Sequence, residues 1–247
     1  MNTKMKNKKF SSLLMKGIGM LSLAFIPFLT SCLNDEDSRL APTPIAYVSF
    51  YHGSPTTSAL SIVVDGNLYN TNSFNYSTYF DYGHFFTGDR TFSFKSENAA
   101  NSLLDTVVTF EADQAYSFFI SEEEEGFEPI IVEDELAMLS SGKAMIRMVH
   151  LSPDTPAVSL QIDDEESDLI EGQAYREVSD YLEVNEGRID LNLKTSDGGE
   201  TLVTAENINI REKRIYTIVV RGYVDPAASA GTANSLNLQL IRNYPNY

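Results

Sequence analysis

The chain has no tryptophan, one cysteine and few bases: 18 Lys+Arg stand against 35 Asp+Glu, a formal net charge of −17 over 247 residues. Each shortage excludes something. A nucleic-acid binder needs a basic face to displace phosphate counterions, and this acid excess argues against one. One cysteine cannot form an internal disulfide or a Cys-rich zinc module. A G-x-S-x-G nucleophile elbow and a D-x-D-x-D-G calcium loop are both missing. What is present suits a folded chain: 43% hydrophobic and 21% charged residues match ordinary globular composition. The length allows one or two domains with sizeable cores.

The first 31 residues read as a targeting segment. Lys4, Lys6, Lys8, Lys9 and Lys16 come with no acid, and the apolar run Gly17–Leu29 follows. Basic stretch, then short apolar run, is the layout of a secretory signal. Its 13 residues fall short of the roughly 20 that cross a bilayer as a helix, and Pro27 disfavours such a helix further. Leu29-Thr30-Ser31-Cys32 resembles the bacterial lipoprotein signal, in which the Cys becomes the mature N-terminus and carries three acyl chains. That resemblance implies signal removal over 1–31 and lipidation of Cys32. Two or more chains hold a protein stably at a membrane where one does not. Removing 1–31 discards five bases and no acids, leaving 13 against 35, a formal −22. Residues 32–45 form the lipidated Cys and a tether, with Asp35, Glu36 and Asp37 ahead of Ala41-Pro42-Thr43-Pro44; polar residues and prolines do not pack. The acids after Cys32 resemble the surface-export signal of Bacteroidota lipoproteins, or form a plain solvated linker. Leu33 is not the Asp that commonly retains lipoproteins in the inner membrane. The resemblance implies the outer membrane, with the cell surface preferred over the periplasm.

The body repeats. Ala46–Asp65 and Ala144–Asp163, offset by 98, share eight of twenty residues, including His52/His150, Ser54/Ser152 and Pro55/Pro153. At offset 99, Tyr76, Asp81, Tyr82, Gly88 and Lys95 match Tyr175, Asp180, Tyr181, Gly187 and Lys194; at offset 100, Tyr116 matches Tyr216. A period near 100 residues is domain-sized. Period-two runs separated by turn residues predict an all-β chain. We expect two tandem immunoglobulin-like β-sandwich domains of about seven strands each, over 46–134 and 144–247, with a linker at 135–143. The predicted strands lie near 46–51, 59–64, 79–86, 90–95, 103–111, 115–121 and 128–133, then 144–149, 157–162, 178–184, 188–194, 202–210, 215–221 and 235–242. The Cys…Trp…Cys signature of antibody domains is absent, so the likeness is architectural. The repeated A-x(5)-H-x-S-P-x-x-x-A start, with its strand ending in Asp, resembles the bacterial domain of unknown function 4397, often found in tandem. The resemblance covers nearly all of Ala46–Tyr247. The second copy fits more closely; the first has Thr56 and Ser58 where that copy has Asp154 and Pro156. It implies a fold and a secreted location but no reaction.

Three groups of residues are candidates for a site. His52, Ser54 and Pro55, with His150, Ser152 and Pro153, could be bases or ligands, but their presence in both copies favours a domain-building turn. The acid runs Glu122–Glu125 and Asp163–Glu166 with Asp168 have oxygens suited to Ca²⁺, yet like-charged neighbours usually sit at solvated tips. The third is aromatic. Tyr79 and Phe85 align with Val178 and Val184, which predicts a core face; Phe80, Tyr82, His84 and Phe86 would then share the outer face. Their counterparts Ser179, Tyr181, Glu183 and Asn185 are mostly polar. Such a row is either covered, for instance by the second domain, or binds a ligand; sugars stack on aromatic faces. Asp105-Thr106-Val107 resembles the O-glycosylation acceptor of Bacteroidota secreted proteins, which would make Thr106 the acceptor.

These residues predict a non-catalytic, lipid-anchored envelope module for binding or adhesion, accessory to glycan capture. Its expected partners are the membrane through the lipid, a glycan or another envelope protein, and not nucleic acid. No cofactor and no metal is implied. A hydrolase using paired carboxylates and an assembly subunit pairing through sheet edges are the alternatives.

Overall fold

A computed structural model describes residues 43–124, 126–136, 139–163, 165–225 and 234–243. Cys32, the expected signal segment 1–31 and most of the expected tether lie outside the described residues. Within them the chain is all-β, with no helix.

Eight strands build the first sandwich. One sheet has the order β3 (Asn67–Leu68), β2 (Leu60–Val64), β5 (Gly88–Ser96), β6 (Leu104–Phe110); the other runs β4 (Tyr79–Phe86), β1 (Ile45–His52), β7 (Ala115–Glu123), β8 (Gly126–Glu133). The second sandwich repeats both orders. Its sheets are β11 (Ile170–Gln173), β10 (Val158–Ile162), β13 (Gly187–Thr195), β14 (Thr201–Ile210), and β12 (Leu182–Asn185), β9 (Lys143–Leu151), β15 (Ile215–Arg221), β16 (Asn237–Asn243). The predicted strands are present, except that the one near 178–184 is cut short: β12 starts at Leu182, and Val178 makes only an isolated bridge to Val149. β3 and β11 were not predicted, being too short to show a period. The two central pairs, β1 with β7 and β9 with β15, are parallel, so these sandwiches are not all-antiparallel, and the immunoglobulin likeness is one of architecture. Parallel neighbours need a long crossover, and here the other sheet of each sandwich supplies it.

The repeat extends to backbone detail. Asp65 and Asp163, which close the repeated segment, both have positive φ. Asp65 Oδ1 accepts from Thr91 N at 3.0 Å, and Asp163 Oδ1 from Asp190 N at 2.7 Å. Short polar side chains tolerate that conformation and cap it locally. Tyr116 OH accepts from Glu111 N and Tyr216 OH from Arg211 N, pinning the turn before each central strand.

Three apolar layers hold four sheets together. Phe50, Phe92, Phe94, Phe110 and Phe118 fill the first sandwich; Ile146, Met148, Leu160, Leu193 and Ile218 fill the second. A third layer, from Tyr51, Phe119, Val149, Leu151, Val219 and Ile241, lies between the sandwiches. The sheets of β1 and β9 therefore pack face to face, and Pro42–Tyr247 is one compact unit. This explains the near-continuous burial of β1, β7, β9 and β15: strands covered on both faces lose the polar alternation of a surface sheet.

Candidate functional site

The repeated His-x-Ser-Pro element is a buried turn in both copies. His52 and His150 are fully inaccessible. His52 Nε2 lies 3.4 Å from Ser58 O, and His150 Nε2 lies 3.1 Å from Pro156 O. Ser54 Oγ bonds Thr57 Oγ1 at 2.7 Å; Ser152 Oγ bonds Thr155 Oγ1 at 2.5 Å and Gly222 O at 2.6 Å. Both imidazoles are held by the loop that follows them. Burial pushes the His52 pKa down to about 4 and depresses that of His150. These groups stay neutral and serve the turn.

The aromatic strand β4 departs from the expected single row. Gly83 pairs with Val48 and Phe80 with Phe50, but the register shifts between them. Asp81 and Tyr82 together face Ser49, and the strand changes sides there. The expected faces are therefore corrected: Phe80 turns inward, stacks on Phe74 at 4.9 Å and packs on the first core, whereas Tyr79 turns outward into the layer between the sandwiches. Tyr82 also points to the second sandwich. His84 meets Tyr47 edge-on, and Phe86 is 63% exposed at the far end. Phe80, Tyr82, His84 and Phe86 thus have four different surroundings.

An open groove of about 280 Å³ lies beside this bulge, lined by Tyr69, Asn70, Thr71, Asn72, Tyr79, Phe80 and Asp81. Its frame is fixed. The Asn70 side chain accepts from Ile62 N and donates to Leu60 O and Asn72 O. Tyr69 lies on the glycine of β4: a Cβ on Gly83 would come within 2.3 Å of the Tyr69 hydroxyl. Tyr79 OH reaches Arg242 O at 3.3 Å. The exposed Thr71, Asn72 and Asp81 stand around these rings. Sequence reasoning marked Phe80 but missed Asn70, Thr71 and Asn72, because nothing in their spacing shows that the loop folds back against β4.

Sequence reasoning also missed a buried polar joint between the sandwiches. Arg147 (β9) and Asp134 (just past β8) form an ion pair at 2.6 Å with side chains 3% and 0% exposed. Arg147 also donates to Thr217 Oγ1 at 2.9 Å and Ser117 Oγ at 3.0 Å, and its guanidinium lies 4.5 Å from the Tyr181 ring centre. Asp134 accepts from Ser117 at 2.7 Å and Tyr82 at 2.5 Å. Thr217 donates to Asn243, which donates to Tyr82. Burial, then the Asp134 charge, raises the Tyr82 phenol far above its ordinary pKa. Buried charges persist only when paired and bonded in this way.

The first half of the run Glu122–Glu125 is tied down, while Glu124 is exposed. Glu122 accepts from Thr56 and from Tyr223 OH, and Arg176 clamps Glu123 and Glu128. Among the described residues no group of three or more His, Cys, Asp or Glu converges as a metal would need. Asp168 lies 3.8 Å from Lys194; Asp164 and Glu125 are outside the described residues. Thr106 is half-buried on the β6 face that carries Leu104 and Val108. No described helix is long and apolar enough to cross a membrane.

Fold and joint together define a tandem β-sandwich protein whose repeats share one buried interface. Residues 46–161 match the family model described as domain of unknown function (DUF4397). The match runs from β1 through the whole first sandwich to β10 of the second. No curated protein matches the chain.

Proposed function

We propose that this protein is a non-catalytic binding module of the cell envelope, lipid-anchored through Cys32 to the outer membrane and facing outward, and that it captures a saccharide in the groove beside β4. The groove carries this reading. Its aromatic rings offer apolar faces to sugar C–H groups, and amide, hydroxyl and carboxylate groups stand at its rim. The second sandwich has Val178 and Ser179 where the groove has Tyr79 and Phe80, so only one copy carries this lining. The histidines and serines that would suggest chemistry are engaged in turns. The test is titration with a panel of soluble oligosaccharides followed by NMR. Binding by the wild type and its loss in Thr71→Ala/Asn72→Ala, with an unchanged melting temperature, is expected. A panel that binds nothing would remove the saccharide, and protection of the protein from protease on intact cells would remove the outward location.

One observation favours a second reading, assembly through a sheet edge. β6 pairs with β5 over seven residues without a bulge, carries no Lys, Arg or Pro, and exposes Val107. Natural edges are usually blunted.

A further inference from the structure

The joint relates the two repeats by an approximate two-fold axis. Equivalent residues meet it in pairs: Tyr51 and Val149, Phe119 and Val219, Tyr79 and Val178 all belong to the layer between the sandwiches. Ladder register makes Asp134 the counterpart of Asn243, since Glu133 pairs with Tyr116 as Arg242 pairs with Tyr216. Offsets make Ser117 equivalent to Thr217, Tyr82 to Tyr181 and Ser49 to Arg147. The bonding repeats accordingly: Ser117 to Asp134 mirrors Thr217 to Asn243, and Ser49 to Ser117 mirrors Arg147 to Thr217. Gly53 and Leu151 are equivalent to each other and also touch. A Cβ on Gly53 would come within 2.4 Å of Leu151 Cδ1. Two copies that meet through the same patch, with equivalent residues in contact, are related by a two-fold axis.

The copies differ at the points where identity would be costly. Two first-repeat faces would bring two Asp134 carboxylates together with no Arg147, and leave a gap at Gly53. Two second-repeat faces would bury two Arg147 without a carboxylate and drive Leu151 against Leu151. We infer that this surface is a two-fold interface made heterospecific by three divergent position pairs, Ser49/Arg147, Asp134/Asn243 and Gly53/Leu151. It accepts the opposite repeat, in the same chain or in a second copy of it, and rejects its own kind. Specificity here comes from like-charge burial and overlap as much as from attraction.

Charge reversal in the full chain tests this. Asp134→Arg places two arginines at its own joint, and Arg147→Asp places two aspartates. Mixed in equal amounts, the two variants can exchange sandwiches so that each joint pairs Arg with Asp. Native mass spectrometry should then find a complex of twice the 27.5 kDa chain in the mixture and in neither variant alone. A mixture that stays monomeric, or a homodimer of either folded variant, overturns the inference. A single-chain arm covers a variant that fails to fold. Asp134→Arg and Arg147→Asp combined in one chain set the same ion pair the other way round across the joint, and this double variant should melt higher than either single variant. No recovery would mean that the joint does not select by opposite charge across equivalent faces, and would also overturn it.

Discussion

Replacing His52 with phenylalanine should flatten the acid side of the stability curve. His52 is fully buried, against Phe74 at 5.2 Å between ring centres. Burial lowers its pKa from the ordinary 6.5 to about 4. The unfolded chain therefore takes up a proton on this residue as pH falls below 6.5, while the folded chain does not until about 4. Stability is complete above 6.5 and is lost progressively over that window. At roughly 1.4 kcal/mol per unit, the loss reaches about 2 kcal/mol at pH 5 and about 3 kcal/mol at pH 4. His150 shifts in the same direction and adds to it. Acidification also neutralises carboxylates on a strongly acidic chain, which relieves self-repulsion and opposes the histidine effect. The comparison must therefore be between variant and wild type at each pH. Urea unfolding followed by tyrosine fluorescence and far-ultraviolet dichroism at pH 7, 6 and 5 gives it. Whatever the His52→Phe substitution costs at pH 7, the deficit relative to wild type should shrink by about 2 kcal/mol at pH 5. A deficit that stays constant with pH, or an NMR titration of His52 near 6.5, would refute the reasoning.

Arg147→Met should cost about 3–5 kcal/mol in urea unfolding, because it strands the Asp134 carboxylate in a dry joint, whereas Arg147→Met with Asp134→Leu should recover most of that. A single-variant loss below about 1 kcal/mol would mean that water reaches the pair. Gly222→Ala should lower stability by more than about 2 kcal/mol, since φ is +89° and the added Cβ would lie 2.3 Å from Ser235 O; a calorimetric midpoint near wild type would contradict this. Val107→Lys should leave the melting temperature within about 1–2 °C and, if β6 is the assembly edge, abolish concentration-dependent association in sedimentation.

Much of the architecture was readable because β-sheets write themselves locally. Alternation gave the strands, Gly53-Ser54-Pro55 and Asp65-Gly66 gave the turns, and self-comparison gave the two sandwiches. What stayed hidden depends on partners far apart in sequence. Arg147 sits inside the apolar run Ala144–Val149, which should have marked it, since an arginine in a strand buried on both faces must meet a buried acid. Asp134 could not be singled out among 35 acids. The exchange of Tyr79 and Phe80 between faces follows from a one-residue irregularity opposite Ser49, and period-two reasoning reverses at any such bulge.

Tyr79 connects the joint to the groove. Its ring lines the groove beside Phe80 and also packs in the layer between the sandwiches. Its hydroxyl bonds the Arg242 carbonyl of the second sandwich. The neighbouring Tyr51 hydroxyl bonds Gln239, whose amide reaches Ser77 O just ahead of β4. The second sandwich therefore fixes one wall of a groove that the first sandwich otherwise builds alone. Val178, in the equivalent position, has no hydroxyl to make such a bond. The asymmetry that makes the joint accept only unlike repeats thus extends to the surface beside it: the first repeat supplies every lining residue of the groove, and the second holds its Tyr79 wall.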